Sequence, residues 1–322
     1  MTKPRVLVTR RWPVAVEEKM ATVFDIDLNP SDTPLSEAAL RDAMGQYDAI
    51  LPTVTDRLPA AVFQAAARTR IVANYGVGFA HIDTEAAKSR GIAVTNTPDV
   101  LSDCTADIAM TLMLMVARRA GEGERELREG RWTGWRPTHL IGTKVSGATL
   151  GIIGFGRIGQ AMAQRAHFGF GMKVLVQNRS PLPPEVLGRY NAVQVPTIEA
   201  LLPQCDFVSL HCPGGAANRH LINGARLDLM RPGAYLINTA RGEVVDEHAL
   251  AQALWFGTIG GAGLDVYDRE PQVPVDLLGA DNLVLLPHLG SATRETREAM
   301  GFRVLDNLTD FFAGKQPRDR VA

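Results

Sequence analysis

Residues 150–159 read LGIIGFGRIG. The segment begins as an apolar, strand-like run and passes into a turn whose glycines, Gly154, Gly156 and Gly159, have the spacing G-x-G-x-x-G. In a dinucleotide-binding turn the first glycine permits the tight bend, the second lets the backbone approach a pyrophosphate, and the third lets the next helix pack close to the strand. The segment therefore predicts dinucleotide binding, the alternative being a glycine-rich turn that serves packing alone.

The sequence on both sides of the turn favours the nucleotide. Residues 148–153 are typical of a buried strand, and residues 161–166 have high helix propensity. We therefore predict a helix over about 158–168. Such a helix would aim the free N–H groups near Arg157 and Ile158, with the positive end of its dipole, at the phosphates. With 30 glycines in 322 residues the motif alone is weak, so this context decides the interpretation.

Composition limits the classes of function. The 322 residues are enough for two domains, and 46% hydrophobic with 21% charged residues is typical of a soluble globular protein. A net charge of −1 gives no reason to expect nucleic acid or a membrane as partner. Cys104, Cys205 and Cys212 have neither metal-type nor C-x-x-C spacing. We therefore expect a cytoplasmic protein with reduced cysteines and no metal site.

The first hundred residues alternate strand-like and helix-like segments. Apolar strand-like segments lie at 5–9, 49–51, 71–73 and 92–94, and helix-like segments at 36–44, 60–67 and 84–89. Strands that alternate with helices form a parallel sheet covered on both faces. This part of the chain predicts one α/β domain.

A long helix is predicted next, over about 104–120, with Ser102 or Asp103 as its cap. Its apolar positions nearly surround it, which indicates burial between domains or at a subunit interface. Residues 121–147 are predicted to be irregular and contain Trp132 and Trp135.

A second alternation begins at residue 148. Its predicted strands lie near 150 and at 173–177, 206–210, 234–238, 261–265 and 283–286. Six such strands match a full dinucleotide-binding sheet. A final helix, capped by Ser291 and ending near Phe312, is expected to pack on the first domain. The predicted fold class is α/β, with two doubly wound parallel-sheet domains: a Rossmann cofactor domain and a smaller flavodoxin-like substrate domain.

The strand after the glycine turn bears on the choice of cofactor. NAD-binding domains usually end this strand in an acidic residue that binds the ribose hydroxyls. Here residues 176–180 read VQNRS, so Asn178, Arg179 and Ser180 offer donors and no carboxylate. This tail predicts NADP in preference to NAD, although a solvated strand end would have the same composition.

Three polar residues follow later strands of the predicted cofactor domain, namely Arg241, Glu270 and His288. Open α/β sheets place their sites at such strand ends. An arginine can hold a carboxylate with two hydrogen bonds, a histidine can exchange a proton near neutral pH, and a carboxylate beside the imidazole favours its charged form. Each also has an ordinary alternative: Arg241 could pair with Glu243 or Asp246, Glu270 could be a loop charge, and His288 is one of seven histidines.

Together, six segments resemble the D-isomer-specific 2-hydroxyacid dehydrogenase family, in particular its glyoxylate/hydroxypyruvate reductases. They read NYGVG (74–78), NTPDV (96–100), LGIIGFGRIGQ (150–160), NTARG (238–242), GLDV (263–266) with EP (270–271), and PHLGSAT (287–293). The resemblance covers nearly the whole chain and implies the roles of individual residues.

The resemblance implies that Arg241, Glu270 and His288 are catalytic and that the backbone N–H groups of Val77 and Gly78 help to hold the substrate acid. The expected cofactor residues, from the motifs and the resemblance together, are Thr105, Gly154, Gly156, Arg157, Ile158, Gly159, Asn178, Arg179, Ser180, His211, Cys212, Pro213, Thr239, Ala240, Asp265, His288 and Gly290. The chain departs from the family pattern in having Gly214 and Gly215 after His-Cys-Pro, where a polar pair is usual.

The resemblance also implies an assembly and a domain layout. The segment RWTGW (131–135) is similar to one in which a tryptophan, here Trp135, reaches the partner subunit's site, so a homodimer built around the helix at 104–120 is expected. The layout is discontinuous, with residues 1–99 and 290–322 binding the substrate and residues 100–289 binding NAD(P).

The activity implied is NADPH-dependent reduction of a small 2-oxo acid, glyoxylate or hydroxypyruvate, to the 2-hydroxy acid, with His288 as the general acid. Two alternatives stay open. The chain could be a D-2-hydroxyacid dehydrogenase for another acid, or a cofactor-sensing scaffold of the corepressor type, which shares this fold.

Overall fold

The computed structural model describes residues 3–322 of the chain. Two compact units form, and the chain enters the first one twice: it comprises Met1–Leu101 and Ala292–Ala322, whereas the second comprises Ser102–Ser291. The sequence analysis placed the corresponding boundaries after residues 99 and 289. None of the described helices is long and apolar enough to cross a membrane.

The first unit contains a five-stranded parallel sheet with strand order β2-β1-β3-β4-β5. The strands are β1 (Arg5–Val8), β2 (Asp25–Leu28), β3 (Ala49–Leu51), β4 (Ile71–Ala73) and β5 (Ala93–Thr95). The helices between them are α1 (Val14–Val23), α2 (Glu37–Ala43), α3 (Ala60–Phe63) and α4 (Thr84–Ser89). The predicted α/β domain is confirmed.

Two elements of this unit were missed by the sequence analysis. Strand β2 lies at the sheet edge and alternates acidic with apolar residues, as DIDL, so it lacks the apolar run of a buried strand. Helix α1 buries little more than Val16 and Met20. Helix α2 was predicted well because Ser36 is its cap, accepting a hydrogen bond from the N–H of Ala39.

The second unit contains a seven-stranded parallel sheet with strand order β12-β11-β10-β9-β6-β7-β8. Its helices are α5 (Ser102–Ala117), α6 (Ala120–Arg128), α7 (Arg157–Gln164), α8 (Pro184–Gly188), α9 (Ile198–Leu201), α10 (Gly224–Leu227), α11 (Glu247–Trp255) and α12 (Val275–Leu278). Its strands are β6 (Thr149–Ile153), β7 (Lys173–Gln177), β8 (Ala192–Gln194), β9 (Phe207–Leu210), β10 (Tyr235–Asn238), β11 (Gly261–Leu264) and β12 (Leu283–Leu285). Successive strands from β6 add first on one side and then on the other, so the chain changes direction between β6 and β9, where such sheets bind their ligands.

Several predictions for this unit were wrong. The sheet has seven strands instead of six, because the short edge strand β8 carries too little apolar sequence to be recognised. Helix α5 includes Ser102 instead of being capped by it, and it ends at Ala117, ahead of the left-handed Arg119 (φ 52°). Helix α6 occupies part of the region predicted to be irregular. Its sequence, AGEGERELR, is mostly charged residues and glycine, and none of its residues is buried.

Helix α5 packs on the sheet of its own unit. It contacts β10, β11 and α7, and its buried residues include Ala109, Leu112 and Val116. The approach is close, since a Cβ on Gly263 of β11 would lie 2.8 Å from the Cβ of Leu112. This packing accounts for the buried face of the helix, and its predicted place in a dimer interface stays a prediction.

The last helix, α13 (Arg294–Phe312), belongs to the first unit. Thr293, instead of the predicted Ser291, caps it by accepting a hydrogen bond from the N–H of Thr296. The helix packs against α1, where a Cβ on Gly301 would lie 2.6 Å from Cγ1 of Val16. A glycine at this position therefore lets the two helices come close.

Candidate active site

The glycine turn joins β6 to α7. Gly154 has φ 90°, and a Cβ there would lie 2.6 Å from the backbone nitrogen of Cys212. A Cβ on Gly159 would lie 2.3 Å from the carbonyl oxygen of Gly154, so the third glycine brings helix and turn together. A Cβ on Gly156 would meet nothing within 4 Å. Among the described residues no side chain caps α7 at Gly156, and a helix N-terminus of this kind is suited to bind an anion.

One of the predicted cofactor residues after β7, Asn178, makes hydrogen bonds to other residues of the protein. Asn178 accepts a 3.2 Å hydrogen bond from the N–H of Phe155 in the glycine turn, and its Nδ2 donates to the carbonyl of Ser180 at 3.1 Å. Asn178 therefore helps to fix the turn, and its expected contact with the cofactor stays a prediction. The exposed Arg179 makes no ion pair with any residue that the structure describes.

The segment after β9 forms the wall opposite Gly154. His211 Nε2 lies 2.9 Å from the Ser209 hydroxyl oxygen, and burial lowers the pKa of His211 to about 4. Burial also raises the pKa of the Cys212 thiol to about 11. Both side chains are thus neutral near pH 7, so this wall, with Pro213, offers a cofactor uncharged contacts.

The departure at Gly214 has a steric reason. A Cβ there would lie 2.5 Å from Oε1 of Glu243 and 2.9 Å from Cγ of Arg241. Glu243 accepts a hydrogen bond from the N–H of Gly215. Gly214 therefore leaves room for the stem of Arg241, whereas Gly215 has φ 98°, which favours glycine.

Thr105 and Asp265, predicted to line the nicotinamide, hold the loop after β12. Asp265 accepts hydrogen bonds from the N–H groups of Leu289 (2.6 Å) and Gly290 (2.7 Å), and the Thr105 hydroxyl donates to the Gly290 carbonyl at 3.0 Å. Burial raises the pKa of Asp265, although these N–H groups and His288 oppose that effect. The sequence analysis did not foresee this bracing of the loop.

Thr239 and Ala240 follow β10 and are both buried. The Thr239 hydroxyl is enclosed and has no hydrogen-bond partner among the described residues. A buried hydroxyl without a partner is costly, so a bound molecule that completes its hydrogen bond would stabilise this position.

Arg241 lies next on the chain. Its Nη1 donates to the carbonyl of Ala240 at 2.7 Å, and no described carboxylate forms an ion pair with it. The alternative partners are engaged elsewhere: Glu243 with Gly215, and Asp246 with the first turn of α11. Burial lowers the pKa of the Arg241 guanidinium, and Glu270 and Glu243 oppose that effect. A half-buried cation without an ion pair is suited to receive an anionic ligand.

His288 and Glu270 are brought together. His288 Nδ1 lies 2.8 Å from Oε2 of Glu270, whose other oxygen accepts a 3.1 Å hydrogen bond from the N–H of Tyr267. Burial alone would raise the pKa of Glu270, but the hydrogen bond and charge of His288, with Tyr267 and Arg241, lower it below its ordinary value. Glu270 is therefore ionised near neutral pH, and Nε2 of His288 has no partner in the described part of the chain.

Val77 and Gly78 belong to the first unit, in the loop after β4. Their N–H groups have no backbone partner among the described residues. The tryptophans of the 131–135 segment are exposed, Trp132 by 50% and Trp135 by 83%. The contact of Trp135 with a partner subunit stays a prediction.

Comparison with known proteins identifies the family. The model of the family "D-isomer specific 2-hydroxyacid dehydrogenase, NAD binding domain" matches residues 110–290, which is more than half of the chain. The chain belongs to this family. It is therefore an oxidoreductase with an NAD(P)-binding domain, and the resemblance seen in the sequence is confirmed.

Similar members of the family are known as reductases. A glyoxylate reductase of Thermococcus onnurineus is 44% identical over 98% of this chain and 95% of its own. An NADPH-dependent glyoxylate/hydroxypyruvate reductase of Sinorhizobium meliloti, solved with NADP and malonate, is 37% identical with a TM-score of 0.90 over 100% of this chain and 97% of its own. A glyoxylate reductase from Paecilomyes thermophila has a TM-score of 0.88 at 33% identity, over 100% of this chain and 99% of its own.

Two functional candidates escaped the sequence analysis, Asn74 and Asn96. Both lie inside the quoted family segments, directly after β4 and β5, and both are buried. The available signal was their position at parallel strand ends, where polar residues commonly serve a site.

Proposed function

We propose that this protein reduces a small 2-oxo acid, glyoxylate or hydroxypyruvate, to the 2-hydroxy acid with NADPH as reductant. The observation that carries the proposal is the hydrogen-bonded pair of His288 and Glu270, found in the same unit as a half-buried Arg241 without an ion pair to any described carboxylate. The names of the similar reductases support the substrate class.

The residues of the second unit fit a nicotinamide dinucleotide. The pyrophosphate would lie against Gly156 and the N-terminus of α7, where a Cβ would fill the open space. Arg179 and Ser180 would bind the 2′-phosphate of NADP, since the β7 tail offers no carboxylate to repel it. When bound, the cofactor supplies the hydride. Thr239 would complete its hydrogen bonding on that ligand.

The substrate carboxylate is assigned to Arg241 and to the N–H groups of Val77 and Gly78. A guanidinium binds a carboxylate with two parallel hydrogen bonds, and the two backbone donors have no other described partner. These hydrogen bonds would orient the 2-oxo group of the substrate. Correct orientation of the reacting group is a large part of the rate acceleration that a binding site provides.

The proton is assigned to His288. With Nδ1–H donated to Glu270, Nε2–H of the imidazolium is left to protonate the carbonyl oxygen as negative charge develops on it. Glu270 holds the ring in place and stabilises its charged form. Thr105 and Asp265 brace the loop that carries His288. Trp135 would complete the substrate pocket of a partner subunit in a homodimer.

The test is the oxidation of NADPH, followed by its absorbance, with glyoxylate and hydroxypyruvate as substrates. Turnover of about 1 per second or more supports the proposal, since enzymes typically reach this rate. A protein that binds NADPH without turnover of any of a panel of 2-oxo acids would favour the corepressor-type scaffold. Faster turnover of a different 2-oxo acid would assign the activity to that acid.

A further inference from the structure

Two buried asparagines hold three consecutive carbonyl groups of the loop after β4. Asn74 Nδ2 donates to the carbonyls of Gly76 (2.9 Å) and Gly78 (3.1 Å). Asn96 Nδ2 donates to the carbonyl between them, that of Val77, at 2.9 Å. The two asparagines are 0% and 7% exposed, so these hydrogen bonds are protected from competition by water.

The direction of each carbonyl also sets the direction of the next N–H group. A trans peptide is planar, and its C=O and N–H point in opposite directions. The hydrogen bond from Asn74 to the Gly76 carbonyl therefore fixes where the N–H of Val77 points. The hydrogen bond from Asn96 to the Val77 carbonyl fixes the N–H of Gly78 in the same way. The Gly76 carbonyl also accepts from the N–H of Thr97 at 3.1 Å, so Asn74 shares the orientation of the first donor, whereas Asn96 orients the second.

We propose that Asn74 and Asn96 are positioning residues, which aim the N–H groups of Val77 and Gly78 at the carboxylate of the substrate. The inference rests on the proposed function, in which these two donors hold the 2-oxo acid. The proposal gives neither asparagine a contact with the substrate, since the Nδ2 groups of both donate to the loop carbonyls.

The orientation of the Asn74 amide is set by its neighbours. His81 Nε2 lies 3.1 Å from Oδ1 of Asn74, so the oxygen faces the imidazole and the Nδ2 group faces the loop.

Asn96 is in turn held by the last helix and the last residues of the chain. Its N–H donates to the carbonyl of Asp319 at 3.2 Å, and its carbonyl accepts from Nδ2 of Asn307, in α13, at 3.4 Å. The N–H of Asp319 donates to Oδ1 of Asn307 at 3.2 Å, which closes the network. Beyond it, Val321 and Ala322 exchange backbone hydrogen bonds with Val94 of β5. The C-terminal segment therefore holds the backbone of Asn96 in place.

The informative variant is Asn96→Asp, which keeps the shape but places an acceptor against the Val77 carbonyl. The peptide between Val77 and Gly78 should turn, and one donor to the carboxylate should be lost. A hydrogen bond to a charged group corresponds to about ten- to a hundredfold in affinity. Asn96→Ala removes the donor without adding charge and should act in the same direction.

Asn29→Asp is the matched control. Asn29 is also buried (8% exposed) in the first unit, and its Nδ2 also donates to backbone carbonyls, those of Thr9 and Thr33, whereas Nδ2 of Asn96 donates to one. It makes no hydrogen bond to the loop after β4, so the same substitution there tests the loss of a buried donor alone.

The measurement is the dissociation constant of oxalate, a carboxylate probe that cannot be reduced by hydride transfer, for the NADP-loaded protein. The dissociation constant of NADPH and the midpoint temperature of thermal unfolding are measured for the same variants. Both Asn96 variants should weaken oxalate binding by about tenfold or more while NADPH binding stays within about twofold. Asn29→Asp should leave both constants unchanged even if it lowers the midpoint.

Two results would overturn the proposal. In the first, a folded Asn96 variant binds oxalate as tightly as wild type does. In the second, the Asn96 variants lose oxalate and NADPH binding in parallel, and Asn29→Asp shows the same loss. Asn96→Ala decides the question if Asn96→Asp does not fold. Failure of the proposed function gives a different result. A wild-type protein that binds NADPH and oxalate but reduces no 2-oxo acid would contradict the proposed activity. The dissociation constants of oxalate would still test the role of the asparagines.

Discussion

Oε2 of Glu270 lies 2.8 Å from Nδ1 of His288, although 17 residues separate the two along the chain. Glu270 lies in the loop between β11 and β12, and His288 follows β12. Because these strands are parallel neighbours, both residues lie at the carboxyl edge of the sheet. The lowered pKa of Glu270 keeps its charge beside the imidazole throughout the neutral range.

This pair makes a pH prediction. Reduction requires the imidazolium, so kcat/KM with NADPH saturating should fall as the pH rises through the alkaline limb. Glu270→Gln keeps the shape and removes the charge that favours the imidazolium, so the limb should move to lower pH. His288→Ala should lower the rate by about 10²–10⁴-fold at every pH. A limb that stays in place in Glu270→Gln would show that the two side chains are not coupled in catalysis.

The cofactor preference can be tested at the β7 tail. Arg179→Ala should weaken NADPH binding by about ten- to a hundredfold, the value of one charged contact, and leave NADH binding nearly unchanged. Asn178→Asp should shift the preference toward NADH because it adds a carboxylate, while its retained oxygen still accepts the N–H of Phe155. The dissociation constants of both cofactors measure these effects. Equal wild-type affinities for NADPH and NADH would refute the assignment.

The glycine turn offers a matched pair of substitutions. A Cβ on Gly159 would lie 2.3 Å from the Gly154 carbonyl oxygen, so Gly159→Ala should lower the free energy of unfolding by about 1–3 kcal/mol. A Cβ on Gly156 meets open space, so Gly156→Ala should leave the apo protein stable and weaken cofactor binding. Thermal unfolding and cofactor titration separate the two. Full cofactor affinity in Gly156→Ala would place the pyrophosphate elsewhere.

His211 predicts a stability change with pH in the apo protein. Burial lowers its pKa from 6.5 to about 4. Between these values the unfolded chain binds a proton that the folded protein excludes, so the free energy of unfolding should fall as the pH falls, by about 3 kcal/mol across the window. His211→Gln does not titrate and should show a shallower dependence. Denaturant titrations at several pH values test this, and identical slopes for the two proteins would contradict it.

Trp135 tests the expected assembly. An exposed tryptophan that completes a partner's pocket should affect substrate preference more than cofactor binding, so Trp135→Ala should change the ratio of kcat/KM values for glyoxylate and hydroxypyruvate. Sedimentation gives the oligomeric state in parallel. A monomer with full activity on dilution would exclude a shared pocket.

Local sequence determined much of this protein. The apolar runs of β4, β7 and β10 and the caps at Ser36 and Asp83 define their elements without reference to distant residues. Gly154 and Gly159 likewise specify the turn, because the positive φ of Gly154 and the close packing at both positions allow few other residues there. These features lie within a few residues of each other, and short-range physics is sufficient to read them.

Tertiary structure decided what depends on distant neighbours. The edge strands β2 and β8 exist because another strand supplies their hydrogen bonds, which their own composition does not reveal. Asn178 accepts from the N–H of Phe155 and donates to the Ser180 carbonyl, and Asp265 accepts from the N–H groups of Leu289 and Gly290. None of these contacts is visible in the sequence, and the cofactor contacts expected of Asn178 and Asp265 stay predictions. The role of a polar side chain depends on its hydrogen-bond partner. That partner often lies far away in the sequence and comes into contact only when the sheet brings separate strand ends together.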